Sequence, residues 1–150
     1  MSDSQLMHCT SIAFQKEGWL TAALLRGAPG CGKSDLALQV IDRGYAELVS
    51  DDQTVLTLRN QELLASPPPT IAGKLEVRGL GLVSFSYCSD VPVGLVVDLV
   101  PRDQIDRLPT PEFEEILGVS VPRLRLHSFD HSAVAKLLLA ITRSEGDIVR

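Results

Sequence analysis

Eight consecutive residues, Gly27-Ala28-Pro29-Gly30-Cys31-Gly32-Lys33-Ser34, carry the clearest chemistry in this 150-residue chain. They satisfy G-x-x-x-x-G-K-[ST] at every fixed position, the pattern of a phosphate-binding loop. Glycines let successive backbone N–H groups curl around a polyphosphate, while Lys33 supplies charge to its outer phosphates. Ser34 offers a hydroxyl to Mg²⁺, and the N-terminus of a following helix adds its dipole. The competing explanation is a glycine-rich turn that binds nothing. Context favours the loop. Upstream, Leu20 to Arg26 is a short apolar run bounded by Gly18 and Gly27, as expected of a buried strand. Downstream, Ser34 to Arg43 reads as a helix with Leu36, Val40 and Ile41 on one side and Gly44 as its stop.

A phosphate loop needs carboxylates that help to hold Mg²⁺ and activate an acceptor. Two acidic sites compete for these tasks. Leu95-Val96-Val97-Asp98 places an aspartate at the end of an apolar run, and Asp51-Asp52 follows the shorter run Leu48-Val49-Ser50. Neighbouring side chains alternate in direction on an extended chain, so only one of Asp51 and Asp52 is expected to face the phosphates. Aspartate is also common in turns. The pattern alone does not choose between Asp98 and the Asp51-Asp52 pair.

The elements that must position these groups form a strand-rich chain. His8 to Phe14 and Leu20 to Arg26 read as strands joined by the polar turn Gln15 to Gly18. Ala46 to Ser50 is a short strand, and Thr54 to Leu58 with Glu62 to Ala65 form a hairpin around Arg59-Asn60-Gln61. Pro67-Pro68-Pro69 marks a loop, because proline cannot donate within a sheet. Leu80 to Tyr87 and Leu95 to Val100 are further strand candidates. A short helix is expected after Pro111, running to about Leu117. Asp130 or Ser132 caps a final helix whose face carries Val134, Leu137, Leu138 and Ile141. Few helices among many strands fit a mixed sheet flanked by helices better than a regular βαβ array.

Length and composition narrow the class. The chain is expected to form one domain over residues 1–150, large enough for a real core. A content of 45% apolar and 22% charged residues is that of an ordinary globular protein. The net charge of -5 argues against nucleic acid as the main partner, since phosphate backbones are bound through excess Lys and Arg. Cys9, Cys31 and Cys88 are odd in number and have no metal-ligand spacing, which suggests reduced thiols in a cytosol. Cys31 sits where a helix N-terminus could activate a thiol, although a small residue filling an unconstrained loop position is the preferred reading. Met1-Ser2-Asp3-Ser4-Gln5 lacks the basic start and apolar core of a signal peptide, and no apolar run approaches bilayer length. The expectation is a cytoplasmic protein without a membrane partner.

Leu75-Glu76-Val77-Arg78-Gly79-Leu80-Gly81 separates the two acidic sites. Together with the phosphate loop, Asp51-Asp52 and Arg43-Gly44-Tyr45, this segment resembles the catalytic domain of HPr kinase/phosphorylase. The resemblance runs from about His8 to the last helix and is nearest to the short alphaproteobacterial form. It implies an α/β fold, a phosphate-loop NTPase-like mixed sheet flanked by a few helices, of the kind shared with PEP carboxykinase. It also implies an ATP- and Mg²⁺-dependent kinase that phosphorylates a serine of HPr, a carrier protein of the phosphotransferase system, in a hexamer.

Residue by residue, Gly27 to Ser34 matches the family's ATP loop, with Lys33 on phosphate and Ser34 on the metal. Asp51 matches the aspartate that takes the serine proton, and Glu76 the second metal ligand, with Leu75 to Ser84 the signature segment around it. His8 matches a histidine that precedes the loop; read alone, it is equally an ordinary strand histidine. Arg107 matches an arginine that steadies transferring phosphate charge; read alone, it pairs with Asp103 or Asp106 on a solvated helix. Arg78 either binds phosphate or anchors the Glu76 loop, and Asp98 becomes structural. One segment departs from the family pattern. Members that also run the reverse reaction carry Pro-Gly-Arg before the last helix, where this chain has Leu126-His127-Ser128-Phe129-Asp130-His131. Two other readings stay open. One is a phosphate-loop kinase of small molecules, with Arg123 and Arg125 as its lid arginines; the other is a regulatory module that binds ATP with little turnover.

Overall fold

A computed structural model describes residues 3–143 and residue 148. The strands are β1 (Ser4–Met7), β2 (Thr10–Lys16), β3 (Trp19–Arg26), β4 (Ala46–Ser50), β5 (Thr54–Arg59), β6 (Glu62–Ser66), β7 (Lys74–Val77), β8 (Gly81–Ser84), β9 (Val91–Leu99), β10 (Glu112–Ile116) and β11 (Val119–Leu126). The helices are α1 (Lys33–Asp42) and α2 (Ala133–Thr142), with single 3₁₀ turns at Pro69–Ile71 and Arg102–Gln104. Nine strands form one sheet along the path β1-β5-β6-β9-β3-β2-β4, and β11 also pairs with β9 and with β10. β3, β9 and β11 are mutually parallel in sequence, while the hairpins and β4 pair antiparallel to their neighbours. This is a mixed α/β architecture. β7 and β8 form a separate two-stranded ladder.

Both faces of the central strands are buried, which explains why β3 and β9 read as continuous apolar runs rather than alternating ones. The period of two still divides them. Ile12, Phe14, Ala23, Leu25, Leu95, Val97 and Leu99 face α1 and α2, where they meet Leu36, Val40, Val134, Leu137 and Ile141. Ala13, Ala22, Leu24 and Val96 face the opposite way and pack with Val49, Leu56, Leu63, Val91, Ile116 and Val121. A third group, Leu48, Leu75 and Val77, seats the β7–β8 ladder beside α1. Helix α1 stops where glycine predicts it. Gly44 takes φ +79°, its N–H bonds to Ile41 O at 3.0 Å, and the Tyr45 N–H reaches back to Val40 O at 3.1 Å. Those are the two bonds of a Schellman motif.

Two expectations change, and one pair of alternatives narrows. The first strand is not continuous over His8 to Phe14: β1 pairs with β5, β2 pairs with β3 and β4, and His8 and Cys9 carry the chain between them. The segment after Pro111 is strand β10, not a helix. Leu117 and Gly118 both have positive φ, the geometry of a two-residue hairpin turn, and they fold β10 back along β11. Pairing and charge override the acidic, helix-like sequence there, since Glu114 accepts both Arg26 Nη atoms at 2.7 Å and Glu112 accepts Arg125 Nη2 at 3.3 Å. Of the two cap candidates, Ser132 holds the N-cap position of α2, without a side-chain bond to the helix. The Asp130 carboxylate is instead engaged by Arg102 and lies 3.7 Å from Lys136 Nζ.

Asp98 sits in the sheet as the centre of an ion cluster. It accepts Arg26 Nε at 2.9 Å and Nη2 at 3.2 Å, and Arg123 Nε at 2.5 Å. Burial alone would raise the Asp98 carboxyl, but hydrogen bonds from Arg26 and Arg123 outweigh it and hold it below the usual range. The Arg26 bonds also hold Glu114 down, and Glu114 with Asp98 raises Arg26 in turn. Removing the shared acceptor leaves two guanidiniums facing each other in a half-buried site, so Asp98→Ala is expected to cost about 2–3 kcal/mol at neutral pH. Both carboxyls are lower in the folded than in the unfolded chain. Their contribution is therefore complete above about pH 5, beyond both unfolded values, and is lost as pH falls through the folded ones. Urea unfolding from pH 7 to pH 2.5 checks both: the variant should start lower and lose less stability on acidification.

Candidate active site

Four strands end at one edge of the sheet. β3, β9 and β11 are parallel, and β4, reached through two antiparallel pairings, points the same way. Their carboxyl ends deliver the Gly27–Ser34 loop after Arg26, Val100 after Leu99, His127 after Leu126 and Asp51 after Ser50. β2 runs the opposite way and brings Thr10 to the same edge. The crevice outside such carboxyl ends is where open α/β sheets bind ligands.

Two glycines of the loop are required by close approach. A Cβ on Gly27 would stand 2.5 Å from Cys31 Sγ and 2.8 Å from Leu99 O. Gly32, at φ +93°, is the N-cap of α1, and a Cβ there would stand 2.4 Å from Ser128 Oγ. The loop is closed by Cys31 N–H on Ala28 O at 3.0 Å and by the Ser128 hydroxyl on the Cys31 carbonyl. Lys33 Nζ folds back onto Gly27 O at 2.9 Å. With α1 starting at Lys33, its free N–H groups and the lysine ammonium share one side of the crevice, a setting that attracts anions.

On the β4 side, Asp51 is 8% exposed and accepts three hydrogen bonds. Thr10 Oγ1 donates to its Oδ1 at 2.9 Å, Ser34 Oγ to the same oxygen at 2.7 Å, and the Glu76 backbone N–H to Oδ2 at 3.0 Å. One carboxylate thus ties the loop serine, β2 and the β7–β8 ladder together. Asp52 does not turn away as strand alternation predicts. Its φ of +66° breaks the alternation, its N–H donates to Thr10 Oγ1 at 3.2 Å, and both aspartates line the same cleft. That cleft, about 290 Å³, is also lined by Gly32, Lys33, Ser34, Glu76, Arg78 and Phe129.

The donors on this side are hard oxygens: the Ser34 hydroxyl and the carboxylates of Asp51, Asp52 and Glu76. Among the described residues no three acidic, His or Cys groups form a metal cage by themselves. Mg²⁺ fits this set without one, because it is usually held by one or two carboxylates and completed by water and phosphate oxygens.

Of the residues singled out from sequence, Pro29, Gly30, Gly32, Lys33, Ser34, Asp51 and Glu76 line the cleft, as does Arg78. Gly27, Ala28 and Cys31 complete the loop behind it. Two candidates lie elsewhere. His8 is exposed between β1 and β2, outside the cleft lining. Arg107 is exposed beyond the Arg102–Gln104 turn and lines a different cavity of about 680 Å³, with Leu108, Leu139 and Ile141. Arg123 and Arg125, the lid candidates of a small-molecule kinase, lie on β11 and are tied to Asp98 and Glu112. Thr10, Ser128 and Phe129 are site residues that sequence reading did not single out. Thr10 and Ser128 leave no local mark, since their roles arise from residues far away along the chain. Phe129 lay inside a segment noted only for lacking Pro-Gly-Arg.

The fold and this edge define a mixed α/β protein with a phosphate-loop sequence walled by carboxylates. The family model described as HPr Serine kinase C-terminal domain matches residues 1–144, and the chain belongs to that family. The HPr kinase/phosphorylase of Geobacillus thermodenitrificans is 36% identical over 115 residues, which is 69% of this chain and 37% of that protein. The HPr kinase/phosphorylase of Bordetella petrii is 32% identical over 133 residues, 81% of this chain and 43% of that protein. The chain therefore spans less than half the length of these relatives. The solved structure of the Hpr(Ser) kinase/phosphatase from Coxiella burnetii is similar with a TM-score of 0.77 at 27% identity, covering 91% of this chain and 88% of that one. No helix among the described residues is long and apolar enough to cross a membrane.

Proposed function

We propose that this chain is a phosphate-loop serine kinase that transfers the terminal phosphoryl group of ATP to an HPr-like phosphocarrier protein in the cytoplasm. The observation that carries the reading is the convergence of Lys33, Ser34, Asp51 and Glu76 on one cleft in a chain of this family. Ser34 and Glu76 would hold Mg²⁺, which would neutralise charge at the phosphates. Lys33 exchanges the Gly27 carbonyl for phosphate oxygens, and the loop amides with the α1 N-terminus hold the rest of the chain of phosphates. Asp51 orients the incoming serine hydroxyl and takes its proton as the Oγ–P bond forms and ADP leaves. The chemistry asked of the protein is positioning and electrostatics. Arg78, on the cleft wall, is placed to meet phosphate. Arg107 lies outside this cleft, so a role in steadying transferring phosphate requires another subunit of an oligomer or a movement of its loop.

The test is incubation with γ-labelled ATP, Mg²⁺ and purified HPr-like protein. Label on a serine of the carrier is the expected result. Nucleotide binding without transfer would make the chain a regulatory module, and label found only on metabolites would make it a small-molecule kinase.

A further inference from the structure

The wall of the phosphate loop opposite the carboxylates is the turn that follows β11. Its residues are tied down one by one. His127 Nδ1 lies 3.0 Å from Val100 O, Ser128 holds the Cys31 carbonyl, and Asp130 is engaged by Arg102. The Asp130 N–H closes the turn on His127 O at 3.2 Å. Phe129 is carried between them, and its ring is left in water at 60% exposure on the lip of the cleft. It is nevertheless positioned: His127 meets it edge-on, with centroids 5.7 Å apart, and its Cζ passes 3.2 Å from where a Gly32 Cβ would stand.

We propose that Phe129 is the stacking platform for the base of the bound nucleoside triphosphate. The inference rests on the nucleotide-binding part of the function proposed above. Strand order sets the direction. β4, which delivers Asp51, and β11, which delivers Phe129, lie on opposite sides of β3 and its loop. A triphosphate whose terminal phosphate meets Asp51 and Glu76 extends its nucleoside end across the loop toward Phe129. A braced, solvent-facing ring suits that end, because every base has a π-face and little side-chain freedom is lost on contact. Phe129 therefore adds affinity for the base without selecting between purines.

Titration calorimetry of the full chain with ATP and, separately, with inorganic tripolyphosphate tests this. Phe129→Ala should weaken ATP about tenfold, leave tripolyphosphate unchanged and leave the melting midpoint unchanged; Phe129→Trp should restore ATP binding. Equal weakening of both ligands would overturn the proposal, because Phe129 would then be bracing the loop. Unchanged ATP affinity would also overturn it, because the base would leave by another route. Failure of the parent reading looks different. A wild-type chain that binds neither ligand loses nucleotide binding and stacking together, whereas one that binds ATP but labels no carrier loses only the kinase activity.

Discussion

Asp51→Asn is expected to lower transfer to the carrier protein by about a thousandfold or more, in the range seen when a group that acts only in the transition state is removed. The substitution keeps the size of the side chain and removes two things. It takes away the proposed base, and it replaces one of two accepting oxygens with an amide donor. Oδ1 now receives Thr10 and Ser34, and Oδ2 receives the Glu76 N–H. Turned one way, its NH₂ meets the Glu76 N–H at a cost of about 1–3 kcal/mol; turned the other, the Thr10 and Ser34 hydroxyls must reverse to accept from it. Loss of transfer should therefore come with a lower urea midpoint and a loosened Ser34–Glu76 pair, while ATP still binds through the loop and Lys33. Asp52→Asn is the control. Asp52 is exposed and shares the cleft, so its variant should keep most of its activity. If Asp52→Asn is the dead enzyme and Asp51→Asn retains transfer, then Asp51 serves only as the acceptor for Thr10, Ser34 and the Glu76 N–H, and the proton goes to Asp52.

How the two aspartates are arranged also shows where sequence reading reaches its limit. The strand, loop and helix around Gly27–Ser34 were legible because their signals are local: eight successive residues and the apolar patterns on either side suffice to specify them. Gly44 as a helix stop was legible for the same reason. The shared orientation of Asp51 and Asp52 was not, because it depends on a left-handed φ at Asp52 that a polar loop sequence does not announce. β10 was misread because Pro111 followed by acidic residues suits a helix start as well as a strand. Arg26 and Arg125, on strands β3 and β11, decide the matter by drawing Glu114 and Glu112 into the sheet. On pattern alone Asp98 competes with Asp51, and the family resemblance makes it structural; what the sequence does not show is its partners Arg26 and Arg123, which make it the centre of the sheet's ion cluster. Sequence spacing names the groups that act together only when they are neighbours in the chain.

Lys33→Ala separates this local chemistry from the scaffold most cleanly. In the structure its ammonium spends its hydrogen bond on Gly27 O, 2.9 Å away, at the surface of the loop. That carbonyl can turn to water when the lysine is gone, and the aliphatic stem lies at the start of α1 rather than in the core. Unfolding midpoints should therefore move little, within about 0.5 kcal/mol as for surface substitutions in general. Transfer should fall by about a thousandfold, because an ammonium aimed at developing phosphate charge is worth several kcal/mol in the transition state and almost nothing in the free protein. Lys33→Arg should not rescue it. A planar guanidinium is larger, and its fixed fork cannot take the lysine's place between the Gly27 carbonyl and the outer phosphates. Rapid-quench measurement of the labelled carrier, beside calorimetry with ATP, divides the effect into binding and chemistry. A variant that transfers within tenfold of wild type would show that the eight-residue loop holds its phosphates through backbone amides alone, and would move the positive charge required at the terminal phosphate to Arg78, the other cation on the cleft wall.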